Sequence, residues 1–134
     1  MIVVLPETVE QISQVLSYCY NNNVKIVPRG AGTSLSGGAL PLADGITLGL
    51  GKFNKILEID YDNRCARVQP GVTNLSISEA VKGHGFYYAP DPSSQIACTI
   101  GGNVAENSGG VHCLKYGLTT VSYTHLTLPT ILLV

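Results

Sequence analysis

The sequence has few charged residues and no long apolar run, and both shortages exclude classes of protein. Charged residues make up only 13% of the 134 residues and apolar residues 45%, which excludes a disordered chain or a solvated coiled coil. With 8 basic and 9 acidic residues the net charge is −1, so no broad basic field exists to hold nucleic acid. The longest apolar stretch, residues 126–134, is short and contains Pro129, so we predict no transmembrane segment.

Clustered cysteines are also missing. The four cysteines lie far apart and form no C-x-x-C pair: Cys19, Cys65, Cys98 and Cys113. Structural zinc needs clustered ligands, and disulfide scaffolds are short and secreted. No signal or transit peptide is recognisable, because Glu7 and Glu10 follow the first residue almost at once. We therefore expect no metal site, and four reduced, mostly buried thiols in a cytoplasmic protein.

The first part of the chain has the pattern of a βαβ unit. Residues 2–5 form a run rich in β-branched side chains, and residues 24–27 form a second such run that is stopped by proline. Between them, Thr8 and Gln11 form a capping-box pattern, and apolar residues fall on one face of a helix from residue 8 to about residue 20. The pattern predicts two parallel strands joined by a helix.

A glycine-rich segment follows the second predicted strand. This first glycine-rich segment, residues 28–38, reads PRGAGTSLSGG. Ligands of α/β sheets bind beyond the carboxyl ends of the strands, and backbone N–H groups without bulky side chains approach an anion closely. The pattern therefore indicates a phosphate held by amides, by hydroxyls and by Arg29, with an ordinary flexible turn as the alternative. Neither the P-loop nor the G-x-G-x-x-G motif fits, because Gly38 stands where the lysine belongs and Leu35 stands where the third glycine belongs.

The middle of the chain predicts strands and a second helix. Three short strand-like runs follow one another: residues 46–50, 56–60 and 64–68. Residues 62–63, Asp-Asn, are typical of a hairpin turn between the last two runs. Residues 74–82 predict a helix that ends at Gly83.

A second glycine-rich segment, residues 98–110, reads CTIGGNVAENSGG and follows a proline-rich turn at residues 90–94. Its first glycine pair is Gly101 and Gly102, and its second is Gly109 and Gly110. We expect its first glycine pair to open a short helix and its second pair to end that helix. A plain surface loop is the alternative. Two such segments in one small chain favour a ligand with two phosphates, because each segment can face one of them.

These blocks together resemble the FAD-binding domain of the vanillyl-alcohol oxidase and p-cresol methylhydroxylase family. Within that family they are most similar to the FAD-linked subunits of glycolate oxidases and to FAD-dependent D-lactate dehydrogenases. The resemblance is carried by residues 5–11 (LPETVEQ), 28–38, 69–72 (QPGV), 90–94 (PDPSS) and 98–117. It implies an α+β fold in which FAD lies between two subdomains. The first subdomain is a βαβ unit with short parallel strands, and the second is incomplete in this chain.

The resemblance also implies which residues contact FAD. The pyrophosphate is wrapped by Arg29, Gly30, Ala31, Gly32, Thr33, Ser34 and Gly37. The flavin and ribityl region is passed by Pro90, Asp91, Pro92 and Ser94. The other side of the diphosphate and ribityl chain is bound by Thr99, Gly101, Gly102, Asn103, Ala105 and Asn107, and Gly109 and Gly110 let the backbone pass close by.

Two details of the family bear on single residues. Some members attach flavin covalently through a histidine near the position of Thr33, and a hydroxyl cannot form that link, so the resemblance implies non-covalent FAD. Of the histidines, His112 lies beside the second glycine pair, and we expect a structural or surface role for it.

The implied activity is a flavin-dependent oxidoreductase that transfers a hydride from a 2-hydroxy acid, such as glycolate or D-lactate, to flavin N5. We expect no catalytic residue in this chain, because the family's acid, base and metal ligands lie further along. Residues 1–120 are then a partial FAD-binding domain, truncated at both ends, that works with other subunits of a glycolate oxidase complex. The alternatives are a non-catalytic module that binds FAD or another diphosphate, and an inactive fragment.

The tail, residues 121–134, does not follow the family pattern. It contains no charged residue and is rich in threonine and leucine, with Pro129 inside it. We interpret it as non-native sequence, and a divergent edge strand is the alternative.

Overall fold

The structure, a computed structural model, describes residues 1–122. Its strands are β1 (Ile2–Val4), β2 (Lys25–Arg29), β3 (Gly45–Gly49), β4 (Ile56–Asp60) and β5 (Cys65–Val68). Its helices are α1 (Val9–Asn21), α2 (Asn74–Val81), α3 (Ile100–Glu106) and α4 (Cys113–Tyr116), with 3₁₀ turns at Lys82–His84 and Thr119–Val121. From residue 123 onward the predicted non-native tail lies outside the described residues, and so does its alternative, the edge strand.

Three strands form a parallel sheet in the order β1–β3–β2. Ile46 of β3 stands opposite Ile2 of β1 and also opposite Ile26 of β2. The two strands of the βαβ unit therefore run parallel, as predicted, but they are not neighbours, because β3 lies between them. The local sequence pattern predicts β3 as a strand without indicating this central position.

Helix α1 begins where the capping-box pattern predicts. The Thr8 hydroxyl accepts a hydrogen bond from the Gln11 N–H at 3.3 Å, and the Gln11 side chain accepts one from the Thr8 N–H at 3.4 Å. The helix buries Cys19 and is capped by Asn22 at its end, after which Asn23 has a φ of +53°. The asparagines therefore end the helix, and one of them adopts the left-handed conformation that asparagine tolerates.

Strand β2 continues through Pro28 to Arg29, whereas the sequence predicts that it stops at residue 27. Because β2 is at the edge of its sheet, one side of its backbone needs no partner. The Arg29 carbonyl accepts a hydrogen bond from the Leu50 N–H at 3.0 Å, so the backbone of Arg29 faces β3 and that of Pro28 faces outward. The strand thus delivers Arg29 directly to the first glycine-rich segment.

Strands β4 and β5 form the predicted antiparallel hairpin. In its turn, the Asp60 carboxylate accepts hydrogen bonds from the backbone N–H and the side-chain amide of Asn63, at 2.9 and 2.8 Å. Arg64 completes the turn with a φ of +54°. An aspartate that binds the backbone a few residues on is a common means of closing a turn.

Two predicted helix ends differ from the structure, by one residue at α2 and by a few residues at α3. Helix α2 ends at Val81, and a 3₁₀ turn carries the chain past Gly83 to Gly85, whose φ is +78°. Helix α3 ends at Glu106 with Asn107 as a left-handed cap at φ +50°, before the second glycine pair. Asparagine tolerates this conformation, so the helix ends without reaching Gly109.

Candidate functional site

The two glycine-rich segments, which are far apart in the sequence, pack against each other. The first segment leaves the end of β2, and a side-chain carbon placed on Gly30 would overlap the hydroxyl oxygen of Thr99 at the start of α3. Only a residue without a side chain allows this approach. The predicted juxtaposition of the two segments is therefore present in the structure.

Side chains also connect the segments, through Glu106 at the end of α3. The Ser34 hydroxyl donates to Glu106 Oε1 at 2.6 Å, and the Ser36 hydroxyl donates to Glu106 Oε2 at 2.8 Å. Glu106 is exposed, and the hydrogen bonds from Ser34 and then from Ser36 lower the pKa of its carboxyl group. Neither Glu106 nor Ser36 is among the residues predicted to contact the ligand. The available signal is that Glu106 is the one charged residue in the second segment.

The first segment presents a row of backbone N–H groups without partners. No hydrogen bond from the N–H groups of residues 31–35 to any other residue in the range 1–122 is found. Gly32 has a φ of +76°, and the Arg29 guanidinium folds under it, with Nη1 donating to the Ala39 carbonyl at 2.8 Å. The arrangement places several free donors and one positive charge together, which is the chemistry of an anion site.

The N–H groups at the start of α3 are used within the fold. The Ile100 N–H donates to the Val72 carbonyl at 2.8 Å, and the Gly101 N–H donates to the Pro70 carbonyl at 2.9 Å. The Gly102 N–H donates to the hydroxyl of Thr99, the N-cap of the helix, at 3.3 Å. These three N–H groups therefore shape a wall of the site and are not free to bind a ligand.

One predicted contact residue carries a buried donor. Asn103 is 2% exposed, and its side-chain Nδ2 has no hydrogen-bond partner among residues 1–122. A second buried amide, that of Asn74, donates to the Pro90 carbonyl at 2.7 Å, but its Oδ1 also has no partner in that range. A buried polar atom left unpaired costs about 1–3 kcal/mol, so a polar ligand that reaches Asn103 would remove a real penalty.

The proline-rich turn is tied to the second glycine pair by Asp91. Its carboxylate lies 2.7 Å from His112 Nδ1 and accepts the His112 backbone N–H at 3.3 Å. A side-chain carbon on Gly110 would overlap the Asp91 carbonyl oxygen, so only glycine fits there. The sequence carries no local signal for this contact, because Asp91 and His112 lie 21 positions apart.

A cavity of about 500 Å³ lies at this junction, within the volume range of small-molecule sites. Its lining residues are Asp91, Ser93, Gln95, Gly109, Gly110 and Val111. The cavity is bounded by the proline-rich turn on one side and by the second glycine pair on the other. It therefore offers room for part of a ligand beside the second glycine-rich segment.

The remaining predicted contact residues have varied positions. Pro92 and Ser94 accept backbone hydrogen bonds within the proline-rich turn, from Gln95 and from Ala97 and Cys98. Ala105 is exposed on α3, and Gly37 has a φ of +78° in the first segment. Gly109 packs against Leu118 and Cys113. The Asn107 side-chain oxygen accepts a hydrogen bond from the Thr120 N–H at 3.1 Å, so this acceptor is already used within the fold.

Three further findings concern metals, membranes and thiols. Within residues 1–122 no cluster of three or more acidic, histidine or cysteine side chains could hold a metal ion. No helix in this range has the length and apolar character needed to cross a bilayer. Cys19 and Cys98 are buried, but Cys65 and Cys113 are exposed, so the expectation of mostly buried thiols holds for only half of them.

Comparison with known proteins identifies close relatives. The chain is 63% identical over 119 residues to the glycolate oxidase subunit GlcD of Escherichia coli (strain K12), which covers 89% of this chain and 24% of that protein. It is 41% identical over 116 residues to the D-lactate dehydrogenase of Archaeoglobus fulgidus, covering 87% of this chain and 26% of that protein. A solved structure of alkyldihydroxyacetonephosphate synthase superposes with a TM-score of 0.75 at 28% identity, over 87% of this chain and 23% of the other. The chain thus spans about a quarter of the length of the curated relatives it matches.

A family model supports the same kinship. Residues 1–130 match the model described as FAD binding domain. With the solved structure, this match confirms the predicted α+β fold of the p-cresol methylhydroxylase type, and with the relatives it confirms FAD as the cofactor. The unpaired donors of the first segment and the buried Asn103 amide fit such a group. The chain belongs to the FAD binding domain family.

Proposed function

We propose that the intact protein is a flavin-dependent oxidoreductase that acts on a 2-hydroxy acid such as glycolate or D-lactate. In this proposal, the present chain supplies the part that holds the FAD diphosphate. The observation that carries it is the packing of the two glycine-rich segments, which leaves the N–H groups of residues 31–35 free beside Arg29. The substrate class is supported by the names of the relatives, a glycolate oxidase subunit and a D-lactate dehydrogenase.

The first segment holds the diphosphate in this account. Its backbone N–H groups donate to the phosphate oxygens, and the Arg29 guanidinium adds a positive charge beneath the loop. The proposed contact residues of this segment are Arg29, Gly30, Ala31, Gly32, Thr33, Ser34 and Gly37. The anion is bound without lysine, so specificity comes from the shape of the backbone.

The second segment and the proline-rich turn form the opposite wall. A side-chain carbon at Gly102 would meet only the Thr99 hydroxyl oxygen, at 3.3 Å, and the buried Asn103 amide offers a donor to a ribityl or phosphate oxygen. The cavity at Asp91 and Gly110 provides room toward the flavin end. The proposed contacts here are those predicted for this side: Pro90, Asp91, Pro92, Ser94, Thr99, Gly101, Gly102, Asn103, Ala105, Asn107, Gly109 and Gly110.

The bound flavin supplies a hydride acceptor at N5 for the hydrogen on the hydroxyl-bearing carbon of the substrate. This chain binds and orients the cofactor, and the groups that bind the substrate and move its proton belong to the remainder of the longer protein. We also propose that the protein works in the cytoplasm with other subunits of a glycolate oxidase complex. The word subunit in the relative's name and the two exposed thiols support this.

The test of the proposed function has two parts. Titration of the purified chain with FAD, followed by flavin fluorescence, is expected to show saturable binding, and riboflavin, which lacks the diphosphate, is expected to bind much more weakly. The full-length protein is then mixed with glycolate or D-lactate without oxygen, and loss of the flavin absorbance is expected. FAD binding without bleaching by any 2-hydroxy acid would favour the non-catalytic alternative, and no FAD binding would contradict the proposal.

We propose further that the FAD is not covalently attached, because Thr33 stands near the position where some family members carry the linking histidine. Acid precipitation of the FAD-loaded protein is therefore expected to leave all the flavin in the supernatant. Yellow colour that stays in the washed pellet would contradict this.

A further inference from the structure

The hydrogen bonds between the first segment and Glu106 form a two-point attachment. Ser34 and Ser36 lie on the same loop, and each donates its hydroxyl proton to a different oxygen of one carboxylate, at 2.6 and 2.8 Å. The Ser34 oxygen also accepts the Ser36 N–H at 3.1 Å, so the two serines are held in register with each other. Hydrogen bonds to an ionised group are stronger than those between neutral groups.

Apart from the Arg29 carbonyl, which accepts the Leu50 N–H at the end of β2, the other hydrogen bonds of this loop connect it to itself. Arg29 Nη1 donates to the Ala39 carbonyl, and the Leu40 N–H donates to the Gly37 carbonyl at 3.1 Å. Among residues 1–122, the bonds to Glu106 are the side-chain hydrogen bonds that connect the middle of the loop to another element. These bonds lie at one end of the run of free N–H groups, at Ser34 and Ser36, and add to the packing of Gly30 against Thr99.

We propose that Glu106 is a positioning residue for the FAD diphosphate: it fixes the first glycine-rich segment on α3 so that the backbone N–H groups face the ligand. The inference rests on the proposed function and changes one part of it. The hydroxyl protons of Ser34 and Ser36 go to Glu106, and the diphosphate is bound by backbone N–H groups.

The competing possibility is that Glu106 occupies the place of a phosphate and is displaced when FAD binds. That possibility predicts the opposite change in FAD affinity, because removal of the Glu106 carboxylate would then free the two hydroxyls and strengthen FAD binding. The engagement of both carboxylate oxygens favours the positioning role. Glu106 is also exposed, so water and salt screen its repulsion of a nearby anion.

The first arm of the test uses the chain without ligand. Backbone {¹H}–¹⁵N NOE values are measured for the unsubstituted chain, for Glu106→Ala and Glu106→Gln, and for Glu79→Gln, which removes an exposed acidic side chain from α2. Glu106→Ala is expected to lower the NOE values of residues 33–36 only, because the loop gains motion on the picosecond–nanosecond scale. Glu79→Gln is expected to change neither the loop nor the urea midpoint, whereas the two Glu106 variants are expected to lower that midpoint slightly, because they lose the hydrogen bonds between the carboxylate and the two serines.

The second arm measures FAD affinity in the same proteins. Glu106→Ala is expected to weaken FAD binding about tenfold, and Glu106→Gln, which keeps a neutral acceptor, by less. A double-mutant cycle with Ser34→Ala/Ser36→Ala is expected to be non-additive, because both changes remove the same contact. Riboflavin binding is expected to be the same in every variant, since it lacks the diphosphate.

The outcomes separate the two proposals. Unchanged NOE values in Glu106→Ala would overturn the attachment, whatever FAD does. Tighter FAD binding by Glu106→Gln would overturn the positioning role in favour of displacement. Absence of FAD binding by the unsubstituted chain would overturn the proposed function and the ligand part of this inference together, while the ligand-free arm would still decide the attachment.

Discussion

The glycines of the site are required for different structural reasons. Gly30 and Gly110 are required by close contact with Thr99 and with the Asp91 backbone, and Gly32 is required by its φ of +76°. Substitution at these positions would strain the fold itself. Gly102 is different, because a side-chain carbon there would meet only the Thr99 hydroxyl oxygen, at 3.3 Å.

Gly102 therefore tests ligand contact without a large change in stability. Gly102→Ala and Gly102→Val are expected to fold, since glycine is about 1 kcal/mol less favourable than alanine inside a helix. Both are expected to weaken FAD binding by about tenfold or more, equivalent to about 1.4 kcal/mol, because the added carbons enter the space proposed for the diphosphate. Fluorescence titration measures the affinity, and urea unfolding measures the stability.

Gly51→Ala is the matched control for this experiment. Gly51 has open space around it and lies outside both glycine-rich segments, so the FAD affinity of this variant is expected to be unchanged. If Gly102→Val binds FAD as tightly as the Gly51 variant does, Gly102 does not face the cofactor.

For single residues, the sequence predicts which ones belong to the site better than it predicts the role of each. Small residues and hydroxyls near an anion can be recognised locally, and so can Arg29. Which N–H groups remain free depends on partners such as Pro70 and Val72, which only the folded chain brings to α3. The Asp91–His112 contact is missed for the same reason.

Helices α1 and α3 begin in the same way, with a threonine whose hydroxyl accepts a backbone N–H of the first turn. Thr8 caps α1 by accepting the N–H of Gln11, and Thr99 caps α3 by accepting that of Gly102. Only Thr99 also touches the first glycine-rich segment, through Gly30. Comparison of substitutions at Thr8 and at Thr99 therefore distinguishes an effect on helix stability from an effect on the geometry of the site.

Thr8→Ala and Thr99→Ala are each expected to lower the free energy of unfolding by about 1 kcal/mol, measured by urea denaturation. Thr99→Ala is expected also to weaken FAD binding, because α3 and Gly30 lose their common contact, whereas Thr8→Ala is expected to leave the affinity unchanged. Equal loss of FAD affinity in both variants would mean that the effect reflects stability alone. Thr99→Ser, which keeps the hydroxyl, is expected to retain most of the binding.

Element starts are predicted better than element ends or neighbours. The capping box places the start of α1, and the Asp-Asn turn places the hairpin, because both signals are local. The extension of β2 through Pro28 follows from its edge position. The insertion of β3 between β1 and β2 is a long-range pairing, for which a short apolar run carries no signal.

The molecule as a whole combines a small core with many exposed apolar side chains. Among residues 1–122, the buried apolar residues are Cys19, Val27, Leu48, Phe53, Val72, Ile77, Val81 and Cys98. Leu35 at the tip of the first segment and Leu114 on α4 are fully exposed. The charged pairs, among them Lys25–Asp44 and Lys52–Glu7, lie on the surface, where each contributes little alone.

Acid is nevertheless expected to destabilise the fold through its carboxylates. The pKa values of five carboxyl groups are lowered, mainly by hydrogen bonds from lysine, backbone or polar side chains: Glu7, Glu10, Asp44, Asp60 and Glu106. A lowered pKa in the folded state adds stability above the unfolded value, 4.5 for Glu and 3.8 for Asp, and that stability is lost as the pH falls through the folded value.

The free energy of unfolding is therefore expected to be level from neutral pH to about pH 5 and to fall below it. Urea denaturation at a series of pH values measures this. A stability that rises on acidification would contradict the assignment of these hydrogen bonds.

The most direct measurement is a ¹⁵N-resolved NMR titration of the chain with FAD and, separately, with riboflavin. The account predicts that FAD shifts the amide signals of residues 30–37 and 99–110 together, and that riboflavin leaves the signals of residues 30–37 where they are. FAD-induced shifts confined to other parts of the chain, or the same shifts with riboflavin, would show that the two glycine-rich segments do not hold the diphosphate.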